Sequence, residues 1–96
     1  MSTKFEELEA KYMFEKLGWL DVSENYQSLI RYEKHDFILG THIITIVEFE
    51  KGAILDGKNE VYITTRYNET VGCSHITVEE LQAINKQIEE LGWNNE

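Results

Sequence analysis

The sequence predicts an α+β domain in which an N-terminal helix, a meander of three or four antiparallel strands and a C-terminal helix follow one another. Apolar residues recur at helical spacing near both ends of the chain and alternate with polar residues in the middle. Strands grouped between helices are typical of α+β proteins, and the short connections favour a meander. At 96 residues the chain is expected to form one domain, 1–96, with both helices packed on one face of the sheet.

The first predicted helix begins at Ser2 or Thr3 and ends at Gly18. Thr3 and Glu6 have the spacing of a capping box, in which each side chain accepts a hydrogen bond from the other residue's backbone N–H. Glycine adopts the positive φ that ends a helix, and Trp19 is expected to pack back on the last turn. The apolar stripe of this helix consists of Phe5, Leu8, Tyr12, Met13, Phe14 and Leu17.

The middle of the chain contains four segments with strand-like composition and alternation. They cover residues 26–34, 41–50, 60–67 and 71–76, the last as a short edge strand. The polar residues 21–25 are expected to form a connection, and residues 34–36 a turn. Residues 37–40 fit either a bulge or a second turn, because Gly40 is compatible with both structures.

The segment Thr41–Glu50 is the strongest predicted strand, and its two faces differ. One face carries Ile43, Thr45, Val47 and Phe49; the other carries His42, Ile44, Ile46, Glu48 and Glu50. If the helices cover the Phe49 face, the other face is open, unless a helix or a second copy of the chain covers it. An exposed apolar strip rimmed by carboxylates is typical of protein interfaces. The predicted partner-binding residues are therefore Ile44, Ile46, Glu48 and Glu50.

The C-terminal helix has both of its ends marked in the sequence. Thr77 and Glu80 form a second capping box, and Gly92 is the expected stop. Trp93 is expected to fold back onto Ile88. The predicted apolar stripe consists of Leu81, Ala83, Ile84, Ile88 and Leu91.

The net charge of −9 restricts the kinds of partner that the chain can bind. A surface this negative repels nucleic acid and anionic lipid, so we expect no direct nucleic-acid binding; a basic protein partner is compatible with it. The charged N-terminus does not fit a signal peptide, and no apolar run reaches the length of a membrane span. The single cysteine, Cys73, fits a reducing cytoplasm.

Metal binding is not predicted, because the candidate ligands are too few or too scattered. Cys73 and His75 are two residues apart, but no further cysteines complete a tetrahedral site. His35, Asp36 and His42 are isolated in sequence and would have to converge through folding. We therefore predict no metal and no cofactor.

Catalysis is not predicted either. The chain contains neither a nucleophile elbow nor a phosphate-binding glycine loop. Glu48 and Glu50 lie about 7 Å apart along one strand face, as the strand rise requires, and are expected to be solvent-facing side chains. A small enzyme is thus the least favoured class of function.

Two segments resemble those of a known group of proteins. Residues 76–93, ITVEELQAINKQIEELGW, are similar to the pattern I-T-x-E-E-L-x-A-I-N-x-Q-x-x-E-L-G-W, and residues 13–19, MFEKLGW, to M-F-E-K-L-G-Y. Both patterns are found in small uncharacterised accessory proteins of phages and prophages of Gram-positive bacteria (Firmicutes). The resemblance implies a phage gene product in the bacterial host cytoplasm and supplies no catalytic residue.

Two functions are compatible with these observations. The first is a non-enzymatic, phage-type accessory protein that binds a host or phage protein, or forms a homodimer. The alternative is an acidic, nucleic-acid-mimicking inhibitor of a host or anti-phage defence protein, whose carboxylates replace phosphates. The two functions differ in how binding depends on salt. The affinity of a charge-based mimic for its partner falls steeply as ionic strength rises, whereas the affinity of apolar binding does not.

Overall fold

The computed structural model describes residues 9–25, 30–52, 57–67, 70–72 and 75–93. It confirms the α+β class: a helix lies near each end of the chain, and five antiparallel strands lie between them. In chain order the elements are α1 (Ala10–Lys16), β1 (Leu20–Asp21), a 3₁₀ turn (Ser23–Asn25), β2 (Ile30–Ile38), β3 (Thr41–Glu50), β4 (Glu60–Tyr67), β5 (Thr70–Gly72) and α2 (Val78–Glu90). None of the helices in these ranges has the length and apolar character that a membrane span requires.

The strands are arranged in the order β1-β2-β3-β4-β5, and each pairs with its neighbours in the chain. The predicted meander is therefore confirmed, with one strand more than expected. The additional strand, β1, falls at the start of the expected polar connection and has only two residues, too few to show alternation. Backbone and hydroxyl groups extend its contact with β2: the Val22 N–H donates to the Arg31 carbonyl over 2.9 Å, and the Arg31 N–H donates to Ser23 Oγ over 2.9 Å.

The turn predicted at residues 34–36 is wrong. These residues continue β2, where Lys34, His35 and Asp36 pair with residues of β3. Their polar side chains resemble those of a turn in composition. The chain reverses only at Leu39 and Gly40, between the paired residues Ile38 and Thr41. Both residues of this two-residue loop have positive φ, 51° and 81°, which is the pattern of a type I′ hairpin turn.

The chain divides into two compact units, a helical unit that contains α1 and α2, and a sheet unit from Trp19 to His75. In the sheet unit, Tyr32, Val47 and Phe49 are buried and lie on one face. The rings of Tyr32 and Phe49 meet edge to face, with centroids 6.4 Å apart. Packing of the helices on one sheet face, and one domain over 1–96, stay predictions.

Within the helical unit, the capping box of α2 is confirmed. Thr77 Oγ1 accepts from the Glu80 N–H over 3.1 Å, and Glu80 Oε1 accepts from the Thr77 N–H over 2.9 Å. The predicted stripe is shifted, because Leu81 is 46% exposed. Glu80 can be buried instead, since the cap satisfies its carboxylate. The residues buried along α2 are Glu80, Ala83, Ile84 and Gln87.

Helix α1 begins without a side-chain cap from its own N-terminal residue, Glu9. A carboxylate from α2 takes this place: the Ala10 N–H donates to Glu90 Oε2 over 2.9 Å. A negative charge at a helix N-terminus is also favourable to the helix dipole. The prediction of one helix from Ser2 or Thr3 to Gly18 is wrong, because the backbone of Glu9 is extended and α1 begins at Ala10. The capping box predicted at Thr3 and Glu6 lies outside the described residues.

Both predicted helix stops are confirmed, because Gly18 has a φ of 95° and Gly92 a φ of 77°. Gly18→Ala and Gly92→Ala are each expected to lower the free energy of unfolding by about 1 kcal/mol, since alanine resists this conformation. No atom lies within 4 Å of a Cβ built at either site, so the backbone is the source of the loss. Urea unfolding of both variants measures it.

Gly72→Ala is the matched control. Gly72 does not have the left-handed conformation, and its added Cβ would lie at an ordinary contact distance of 3.7 Å from Tyr67 Cε1. A loss as large in this variant as in the other two would show that positive φ is not the cause.

Candidate functional site

One face of the sheet brings together four polar residues singled out in the sequence: His35, His42, Glu48 and Glu50. The antiparallel register places alternate residues of β2, β3 and β4 side by side on it. We call it the histidine face, and it consists of Arg31, Glu33, His35 and Phe37 from β2, His42, Ile44, Ile46, Glu48 and Glu50 from β3, and Glu60, Tyr62, Thr64 and Arg66 from β4. All four predicted partner-binding residues lie together on this face.

These four residues differ in how much of each is accessible. Ile46 is only 4% exposed, so a partner cannot reach much of its side chain. Ile44 and Glu50 are half-buried, and the side chain of Glu48 is 22% exposed. The accessible part of the predicted patch is therefore Ile44, Glu48 and Glu50.

A guanidinium connects two carboxylates, one on β2 and one on β3, on the histidine face. Arg31 Nη1 donates to Glu48 Oε2 over 2.8 Å, and Arg31 Nε donates to Glu33 Oε2 over 3.1 Å. The side chains of Arg31 and Glu33 are 11% and 12% exposed. Such partly buried, charge-assisted bonds are stronger than those on an open surface. The single positive charge of Arg31 balances one of the two carboxylate charges.

The two histidines that are isolated in sequence meet on this face. His35 Nδ1 lies 2.8 Å from His42 Nε2, and His35 Nε2 lies 3.0 Å from Glu33 Oε1. The His42 ring stacks on Phe37, with centroids 4.5 Å apart and planes 11° from parallel. A continuous hydrogen-bonded chain thus runs from Glu48 through Arg31, Glu33 and His35 to His42.

The β2–β3 hairpin ends in three large apolar residues that we call the hairpin tip: Phe37, Ile38 and Leu39. They are 72%, 56% and 100% exposed, respectively. Leu39 is also the only non-glycine residue with positive φ among the described residues. The sequence contains a signal for this tip, namely three consecutive apolar residues before Gly40, but the predicted turn at 34–36 obscured it.

The described residues contain no group of three or more side chains suited to hold a metal ion. Of the candidate ligand pair Cys73 and His75, Cys73 lies outside the described residues. The carboxylates of Glu48 and Glu50 have different neighbours. Glu48 bonds to Arg31, and Glu50 lies opposite Glu60 in the register. What the geometry offers is a hydrogen-bonded polar face next to an exposed apolar tip.

Comparison with protein-family models, curated proteins and solved structures finds no match to this chain. The resemblance of residues 13–19 and 76–93 to phage accessory proteins stays a prediction.

Proposed function

We propose that this protein is a non-enzymatic accessory protein that binds another protein, and that the hairpin tip is the part that enters the partner. The observation that carries the proposal is Leu39, which is wholly exposed and has a φ of 51°. The resemblance to phage proteins supports a setting in the cytoplasm of a bacterial host.

Leu39 is unfavourable for the folded chain in two ways. A residue with a Cβ loses roughly 1–2 kcal/mol in the left-handed conformation, and asparagine or glycine usually occupies this turn position. The side chain is 100% exposed, so burial within the chain does not offset that loss. Strain and apolar exposure at one residue are expected where a site serves a partner instead of the fold.

The tip fits a pocket on a protein better than a membrane or a second tip. The net charge of −9 opposes approach to anionic lipid. Three such side chains present roughly 400 Å², so two tips packed on each other would bury less than the ~1,200 Å² typical of a stable interface. A pocket that surrounds the tip buries more area for each residue, and hot-spot side chains sit in such pockets.

The histidine face supplies the border of this interface. Ile44 lies behind the tip, whereas Glu48 and Glu50 lie farther along β3, about 20 and 26 Å from His42 at the rise of a strand. A partner would therefore have to extend along β3, with basic groups well away from its apolar pocket, to contact both features. Nucleic-acid mimicry is less favoured, because Glu33 and Glu48 both bond to Arg31 and are poor substitutes for phosphates. Apolar contact at the tip is thus proposed to supply most of the affinity.

Leu39→Asn is expected to change stability and binding in opposite directions. Asparagine tolerates positive φ, so the free energy of unfolding should rise by about 0.5–1 kcal/mol. The same change removes the most exposed apolar side chain and should weaken partner binding at least about tenfold. Urea unfolding measures the first effect. Quantitative capture of proteins from a Gram-positive bacterial lysate by the immobilised chain measures the second.

The matched control is Leu81→Gln, which removes an exposed leucine, 46% accessible, from α2. A partner of the tip is a protein retained by the wild type and by this control but lost with Leu39→Asn. If Leu39→Asn retains every protein that the wild type retains, the tip is not the binding element. Retention that disappears with modest salt but not with Leu39→Asn would favour the mimicry alternative.

A further inference from the structure

We propose that His35 and His42 form a binding site for a late transition-metal ion, such as Ni²⁺, Cu²⁺ or Zn²⁺, with His35 Nδ1 and His42 Nε2 as its two protein ligands. These nitrogens are already 2.8 Å apart. Neutral imidazole nitrogens are common ligands of all three ions. The site does not depend on the proposed protein-binding function.

The separation of the two nitrogens suits a shared ion. With metal–nitrogen bonds of about 2.05 Å, two ligands at a right angle lie about 2.9 Å apart, and two at the tetrahedral angle about 3.3 Å apart. The observed 2.8 Å therefore has to widen only slightly. Each ring also has to turn, so that its lone pair points at the ion instead of at the other ring. Both histidines are exposed, which leaves room for this rotation.

The carboxylate of Glu33 prepares His35 for this role. A carboxylate accepts hydrogen bonds, so the proton of a neutral His35 resides on Nε2, which lies 3.0 Å from Glu33 Oε1. The lone pair is then on Nδ1, the nitrogen that faces His42. The other oxygen of Glu33 bonds to Arg31, which fixes the carboxylate in place. Carboxylate–histidine–metal arrangements of this kind orient the ligand ring and make it more basic.

His42 completes the pair by changing its tautomer. Without metal, its Nε2–H donates to the lone pair of His35 Nδ1. When the ion binds, this proton moves to Nδ1 of His42, and Nε2 becomes the second ligand. Without metal, stacking on Phe37 holds the His42 ring beside His35. Water fills the remaining coordination positions, because the two rings lie on an exposed part of the face.

Isothermal titration of the wild-type protein with Ni²⁺ and with Zn²⁺ tests this site. Saturable binding of one ion per chain is expected. His35→Ala and His42→Ala should each lower the affinity at least about tenfold, and Glu33→Gln by about tenfold, because loss of an outer partner typically costs 10–100-fold. The matched control is His75→Ala, which removes the third histidine and should leave the affinity unchanged.

A spectroscopic measurement on the wild type keeps the test independent of how the variants fold. The electron paramagnetic resonance spectrum of the Cu²⁺ complex should show coupling to two imidazole nitrogens, and His42→Gln should leave one. Absence of saturable binding, binding that survives both His35→Ala and His42→Ala, or loss of binding in His75→Ala would each overturn the proposal.

Discussion

Replacing Ile46 by glutamate is expected to lower the free energy of unfolding by more than about 3 kcal/mol. Ile46 lies on the histidine face but is only 4% exposed. Its register neighbour on β2 is Glu33, and Glu48 follows on the same face of β3. The new carboxylate would lose much of its hydration and would lie beside two others, so both desolvation and repulsion oppose it. Urea unfolding followed by circular dichroism measures the loss.

Ile46→Val is the control for this substitution, because it removes a single methylene and should lower the free energy of unfolding by only about 0.5–1.5 kcal/mol. A loss below about 1 kcal/mol for Ile46→Glu would mean that the carboxylate reaches water. In that case Ile46 would be an accessible part of the predicted partner-binding patch, together with Ile44, Glu48 and Glu50.

Arg31→Met is expected to lower the free energy of unfolding by about 2 kcal/mol, because it leaves two partly buried carboxylates without their guanidinium partner. The side chains of Glu33 and Glu48 are 12% and 22% exposed, so water compensates only part of that loss. Methionine keeps most of the length of arginine, and the lost packing is therefore small. Thermal and urea unfolding measure the effect.

The triple variant Arg31→Met, Glu33→Gln, Glu48→Gln separates charge from shape. It removes both carboxylate charges along with the guanidinium, and it should recover at least half of the stability lost in Arg31→Met. No recovery would show that the guanidinium supports the sheet through packing or through bonds to other groups. A loss below about 0.5 kcal/mol in Arg31→Met would show that the ion pairs are as weak as those on an open surface.

The sequence predicts best the features that depend on local chemistry. The capping box at Thr77 and Glu80 and the glycine stops at Gly18 and Gly92 each require only a few adjacent residues, and the structure confirms them. The two faces of β3 follow from alternation alone, and the register confirms that too. The sequence alone therefore assigns Ile44, Ile46, Glu48 and Glu50 to one face.

Features that depend on neighbouring strands could not be predicted in the same way. The burial of Ile46 depends on what lies beside it in the register, and Glu33 and Thr64 are far from it in sequence. The meeting of His35 with His42 depends on a two-residue loop at Leu39 and Gly40, and leucine rarely occupies such a position. The sequence predicts a turn at 34–36 and leaves residues 37–40 open between a bulge and a second turn, so it identifies neither the hairpin tip nor the histidine pair.

The order of the strands also has a kinetic consequence. Every ladder of the sheet joins strands that are consecutive in the chain, through connections that range from two residues between β2 and β3 to nine between β3 and β4. Because loop-closure entropy grows slowly with length, each ladder costs little chain entropy. Such a topology has a low contact order for a sheet, and low contact order is associated with fast folding. The sheet can form one hairpin at a time, with β2–β3 as a natural starting pair because a two-residue loop joins the two longest strands. Fast closure would shorten the time during which the apolar strand β3 is exposed to aggregation in the unfolded chain.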